Sequence, residues 1–237
     1  MRRLVACVVS LLIPTCALAA VSVGNAGNVD TVSATPSVSY DHTGGRLVAV
    51  LFWQGSGTTT SGCTYDGVGM SGVGTAGGVA TDDIHIALFE QAPAATGAQT
   101  LACTVSASVS VTIIAVSLTN GDALGTPTED VSGGASTGDT NDVSSATGDL
   151  CLTGMINSDQ GGTTVGTNSG QTDLETTPTA NANFIFMASH EAGAATCTMG
   201  YNWTSNFSNW AHITVNVPEA ASRPGWLGSS LGLGIGQ

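Results

Sequence analysis

The sequence predicts an all-β protein, an antiparallel β-sandwich held by two intrachain disulfides. Three observations predict it: short apolar segments recur between Gly, Ser, Thr and Asn clusters, amphipathic helical periodicity is nearly absent, and four cysteines remain once an N-terminal export segment is set aside. With 42% hydrophobic residues falling in periodic runs, the chain is richer in core-forming residues than a disordered polymer.

The elements follow in chain order. Arg2 and Arg3 precede the apolar run Leu4 to Ile13, and Ala17-Leu18-Ala19 has the small-x-small form of a signal-peptidase site. Residues 1–19 therefore read as a secretory signal, with the mature chain starting near Ala20. The run is too short for a membrane span and is broken by Pro14. Val32 to Tyr40 is a first strand candidate. Arg46 to Trp53 is almost wholly apolar, the mark of a strand covered on both faces. Gly62 to Val68 and Ile84 to Glu90 come next. From Leu101 through Cys103, Val105, Val109, Val111 and Ile113 the odd positions are apolar and Ser or Thr intervenes, so one face is buried and one wetted.

Asn120-Gly121-Asp122 closes that segment, and Gly133 to Ser145 reads as a long polar loop between strands of one sandwich, because neither half offers enough strands for two protected sheets. No exact internal repeat is visible. Asp149 to Ile156, Ala182 to His190 and Thr196 to Thr204 continue the strands. Ala211, Ile213, Val215 and Val217 alternate with His212, Thr214 and Asn216 in a closing strand. One domain over 20–218 results. The tail, 219–237, ends in Gly-alternating Leu231, Leu233 and Ile235, and is expected to fray or to add to the sheet edge of a neighbouring subunit.

Removing the signal leaves two basic residues, Arg46 and Arg223, against seventeen acidic ones, a net charge of about −15 with histidines neutral. Such a surface repels phosphate backbones and anionic lipid heads, which excludes nucleic acid and a charged membrane as partners of the mature form. Cys63, Cys103, Cys151 and Cys197 suit an oxidising exterior. Three pairings are available. Cys63 with Cys103 and Cys151 with Cys197 is preferred, because each couples neighbouring strand segments within its own half. No C-x-x-C occurs to suggest a metal.

Gly44 to Trp53, Thr64 to Met70, Ile84 to Pro93, Thr96 to Thr100, Gly125-Thr126-Pro127 and the Trp203…Trp210-Ala211 ending resemble secreted bacterial jelly-roll-like domains that also occur in phage proteins. The resemblance implies a jelly-roll-like sandwich over roughly Val21 to Pro218 and implies no activity. The cysteines and Phe89 depart from it.

Catalytic motifs are missing: Gly166-Thr167-Asn168-Ser169-Gly170 has its serine one place late for a nucleophile elbow, and His190-Glu191 lacks the second histidine of a zinc helix. Asp82, Asp83 and His85 are too short a cluster to fix a metal. Glu90, Glu129, Asp130, Glu175 and Glu191 read as solvated charges, and no catalytic residue or cofactor is expected. Asp139, Asp142 and Asp149 offer hard oxygen ligands for calcium without a calcium-loop consensus, so turn-forming roles are preferred. Asn202 and Asn206 head glycan-acceptor triplets of a kind that recurs by chance.

Tyr201 and Trp203 share the phase of Cys197 and Met199 and belong to a core face. Phe207 and Trp210, with Asn206 and Asn209, are the candidate ligand-binding residues, since exposed rings stack on sugars while amides bond their hydroxyls. The expected function is a non-enzymatic secreted module, structural, adhesive or virion-associated, located at a cell surface, virion or exterior. The alternative is a carbohydrate-binding module, with a surface glycan or self-association as the partner.

Overall fold

The computed structural model describes residues 19–77, 83–132, 136–158, 165–178, 185–207 and 209–221. Among these, seventeen strands form and no helix does. The first half holds β1 (Ser22–Ser33), β2 (Ser37–His42), β3 (Arg46–Gln54), β4 (Thr60–Tyr65), β5 (Val68–Gly69), β6 (Ser71–Gly77), β7 (Ile84–Gln91), β8 (Gly97–Val105) and β9 (Val109–Thr119). The second holds β10 (Thr128–Ser132), β11 (Ser136–Ser144), β12 (Leu150–Asn157), β13 (Val165–Thr167), β14 (Thr172–Pro178), β15 (Ile185–Ala192), β16 (Thr196–Phe207) and β17 (Trp210–Val217).

Each half makes two antiparallel sheets. In the first they run β1-β9-β3-β7-β6 and β2-β8-β4-β5; in the second, β10-β17-β12-β15-β14 and β11-β16-β13. The pairing is nested: β1 meets β9, β2 meets β8 and β3 meets β7, then β10 meets β17, β11 meets β16 and β12 meets β15. Nested pairs are what a long antiparallel hairpin gives when it is rolled into two layers, the jelly-roll winding. The chain performs this winding twice. The expectation that neither half has enough strands for two sheets is therefore corrected: edge strands β1, β10, β11 and β14, rich in Gly, Asn, Asp and Thr, supply what the hydrophobic pattern left out.

Three cores separate four layers. Val48, Val50, Phe52, Ile86 and Leu88 of the first five-stranded sheet face Leu152, Ile156, Phe186, Ile213 and Val215 of the second across a central core. Leu47, Ala49, Leu51 and Trp53, the alternate residues of β3, pack outward on Tyr65, Leu101 and Val105 of the four-stranded sheet. This double cover explains why Leu47 to Trp53 is apolar throughout. On the far side, Met155, Met187, Tyr201, Trp203 and Trp210, with Val143, Cys151, Cys197 and Met199 beside them, fill the space under the three-stranded sheet. At the central contact Gly154 leaves room for its neighbours, since a Cβ there would lie 2.7 Å from Ile86 Cδ1 and 3.0 Å from Val50 Cγ1.

Cys63–Cys103 joins directly paired residues of β4 and β8, and Cys151–Cys197 ties β12 of an inner sheet to β16 of the outer one. Both are the pairings the sequence favours. Two boundaries differ. The alternation from Leu101 to Ile113 is two strands, because Ser106 to Ser108 carry the chain from an outer sheet to an inner one. Gly133 to Ser145, read as a loop, is mostly β11, and the halves are joined through 120–127, where Asp122 N donates to Pro218 O at 2.8 Å and Gly125 N to Asn216 O at 2.8 Å.

Candidate functional site

Trp210 is 4% exposed. The outward face of β17 carries Trp210, His212 and Thr214, and the three-stranded sheet covers it, so the Trp210 ring packs against Trp203 with centroids 6.2 Å apart instead of forming a surface platform. Asn209 is buried too. The side chains of Asn206 and Phe207 lie outside the described residues. Tyr201 and Trp203 are buried as their phase predicts, and Trp203 Nε1 donates to Ser136 O at 2.6 Å.

The same seam holds a polar cluster that no sequence motif announces. His212 Nδ1 donates to Asp139 Oδ2 at 2.5 Å, and His212 Nε2 lies 2.7 Å from Thr153 Oγ1. Carboxylate, imidazole and hydroxyl stand in the order of a nucleophilic triad. Access decides against that chemistry: His212 and Thr153 are each 0% exposed, and Thr153 Oγ1 is further held by Thr214 Oγ1 at 2.9 Å and Ile213 O at 3.0 Å. Ser189 Oγ and Tyr201 OH, 3.1 Å apart, extend the network, and burial pushes the Tyr201 phenol well above its ordinary pKa. Buried and held by three partners, the hydroxyl acts as a clamp between β12, β17 and β11. The signal available beforehand was Thr153 within the apolar run Leu150 to Ile156: a polar residue in a doubly covered strand must find partners.

A second clamp sits in the first unit, where Ser117 Oγ meets Tyr40 OH at 2.9 Å and His42 Nδ1 at 2.8 Å. Burial lowers the His42 pKa, against a smaller upward effect from the Gly44 backbone.

The aspartates are not brought together. Asp139 faces His212, Asp142 accepts from Thr198 Oγ1 at 2.7 Å, and Asp149 accepts from Glu219 N at 2.8 Å, Ala146 N at 2.9 Å and Asn216 Nδ2 at 2.9 Å. Among the described residues no group of three His, Cys, Asp or Glu is placed to hold a metal. Asp82 lies outside the described residues, as does the Glu175 side chain; His85 stacks on Trp53 at 4.9 Å. His190 has its pKa lowered by burial, and burial raises that of Glu191. Glu129 accepts from Thr75 N at 2.9 Å, tying β10 to β6, and Asp130 accepts from Val131 N at 2.7 Å.

Glu90 stands apart. It pairs with Arg46, the sole cation of 20–222, whose Nε also points at Gly121 O at 3.5 Å, and it accepts from Leu124 N at 3.1 Å. The pair anchors the connection between the units beside an open cleft of about 490 Å³ lined by Arg46, Glu90, Gln91, Ser71, Val68 and Pro93. A smaller one of about 280 Å³ adjoins Glu90 under Leu124 to Pro127. No family model, curated protein or solved structure matches the chain.

Asp149 yields a pH prediction. Burial raises its pKa, yet hydrogen bonds from Glu219, Asn216, Ala146 and Ser145 outweigh that and hold it below the ordinary value. A depressed folded pKa means that the group's contribution is complete above the unfolded value, about 3.9, and is lost as pH falls through the folded value. Asp149→Ala is expected to cost about 1–3 kcal/mol at neutral pH. Urea midpoints of the variant and the parent should converge below about pH 3.9; a difference independent of pH would count against the assignment.

Proposed function

We propose that this chain is a non-enzymatic structural or adhesive module of a cell exterior or virion. The observation that carries the reading is the sealing of the Asp139–His212–Thr153 cluster: this constellation, which has nucleophilic order, is spent on joining layers among the described residues. Two further features support it. Each unit carries its own disulfide, as expected of a protein that works in an oxidising medium without repair. The uncompensated negative charge keeps such a module soluble and away from anionic polymers.

The experiment has two arms. The mature protein and Thr153→Ala are assayed against chromogenic ester, glycoside and peptide substrates; the expected result is no turnover by either, and turnover lost in the variant would overturn the reading. Fractionation of producing cells is expected to place the protein in the medium, on the surface or on particles. Retention in the cytoplasm with free thiols would equally overturn it.

A further inference from the structure

We propose that the cleft over Arg46 and Glu90 binds a neutral oligosaccharide. The argument starts from size and lining. At about 490 Å³ the cleft falls within the range that holds small organic ligands. Its wall is half apolar: Val68, 54% exposed on the two-residue β5, stands with Ala92, Pro93 and Ala123. A sugar ring has a C–H face that suits such a wall and hydroxyls that both donate and accept.

The polar side supplies both roles. Arg46 donates, Ser71 does either, and Glu90 receives its two hydrogen bonds on Oε2, which leaves the acceptor capacity of Oε1. Gln91 Oε1 is shut from water with no partner among the described residues, a cost that a turn of the amide toward a bound hydroxyl would relieve. Charge narrows the class further. Arg46 is neutralised by Glu90, so no unpaired cation awaits a carboxylate or phosphate, and the acidic surface repels anions. A neutral polyol needs no charged partner and meets no such repulsion.

Length follows from the second cleft. Glu90 borders both spaces, and the smaller lies beside Gly72 and Val73 of the edge strand β6, with Leu124 and Pro127. A ligand of two or three sugar units spans Glu90 and touches both. This site shares no residue with the buried Trp210 cluster and stands whether or not the module is adhesive.

The test is a titration of the isotopically labelled mature protein, followed by amide shifts, with maltotriose, cellotriose and N,N′,N″-triacetylchitotriose, with glucose as a short probe and inorganic phosphate as an anionic one. At least one trisaccharide is expected to give saturable shifts at Ser71, Glu90 and Leu124, more tightly than glucose, with phosphate silent there. Val68→Asp changes an exposed side chain and should weaken that binding about tenfold while leaving the remaining spectrum intact; Gln91→Leu should weaken it also. The proposal falls if no trisaccharide saturates, if the shifts map elsewhere, if phosphate binds there more tightly, or if Val68→Asp, folded as the parent, binds as well.

Discussion

Replacing Cys151 and Cys197 together by serine is expected to lower the melting temperature by about 8–16 °C. The bridge closes a sequence separation of 46 residues, for which chain entropy gives about 4 kcal/mol, and a protein of this size loses roughly 2–4 °C per kcal/mol. The partner bridge, Cys63–Cys103, closes a separation of 40 and on entropy alone is worth nearly the same. Packing separates them. Cys63 and Cys103 are direct neighbours in a ladder whose strands stay paired without the sulfur bond. Cys151 and Cys197 cross between sheets, in a small cluster with Val143 and Met199, and tie on a layer of only three strands. Serine hydroxyls there would also be buried among apolar groups, adding a desolvation penalty. The second pair should therefore show the larger loss, with the three-stranded layer exchanging its amides first. The check is a melt followed by circular dichroism, with thiol content measured. Equal melting temperatures for parent and variant would show that the layer is held by other means.

That asymmetry bears on what the sequence made legible. Cysteine number and spacing favoured, among three pairings, the one that the structure has, because each loop joins strands of one half. They could not reveal that one bridge lies within a sheet and the other between sheets, which depends on winding. The fold class was readable from β3, where Leu47 to Trp53 is apolar because both faces are covered. The duplication was not, and β3 and β12 show why. Counted from Val48 and Leu150, which both face the central core, Phe52 and Gly154 occupy matching places. They differ as much as two residues can, since the Phe52 ring fills the space that Gly154 leaves, Cζ lying 3.3 Å from where a Cβ would stand. Two stacked units must be complementary, not alike, so the contact that joins them erases the repeat.

The candidate site was legible in a similarly partial way. Period two placed Tyr201 and Trp203 inside; Trp210, a candidate ligand-binding residue, lies under the outer sheet instead of on a surface platform. His212 and Thr214 are in fact buried under the outer sheet. Polar residues at alternating positions mark either water or a second layer with its own polar partners, and Asp139, 73 residues from His212, marks the second case. Glu90 read as a solvated charge; its pairing with Arg46 required the 44-residue reach between β3 and β7.

Phe186→Ala should cost about 3–5 kcal/mol and should unfold both units together. Phe186 is fully buried in the central core, with its ring centroid 5.4 Å from that of Phe52 on the opposite inner sheet. Truncation removes the transfer energy of the ring and leaves a cavity that stiff strands on both sides cannot close. Because the central core that holds Phe186 also holds Phe52, Ile86 and Leu88 of the first unit and Ile213 and Val215 of the second, the damage is shared. Trp53 lies in the first outer core and Trp203 and Trp210 in the second, so tryptophan fluorescence samples both units while far-ultraviolet dichroism samples all the sheets. Denaturant curves from the two probes are expected to coincide in the parent and in the variant, at a lower midpoint for the variant. Phe186→Leu keeps most of the volume and should cost far less, about 1.5 kcal/mol or under. A two-step curve in which only the second unit shifts would mean that the units fold separately and merely touch. One coincident transition would mean that the central core makes two windings into one cooperative body.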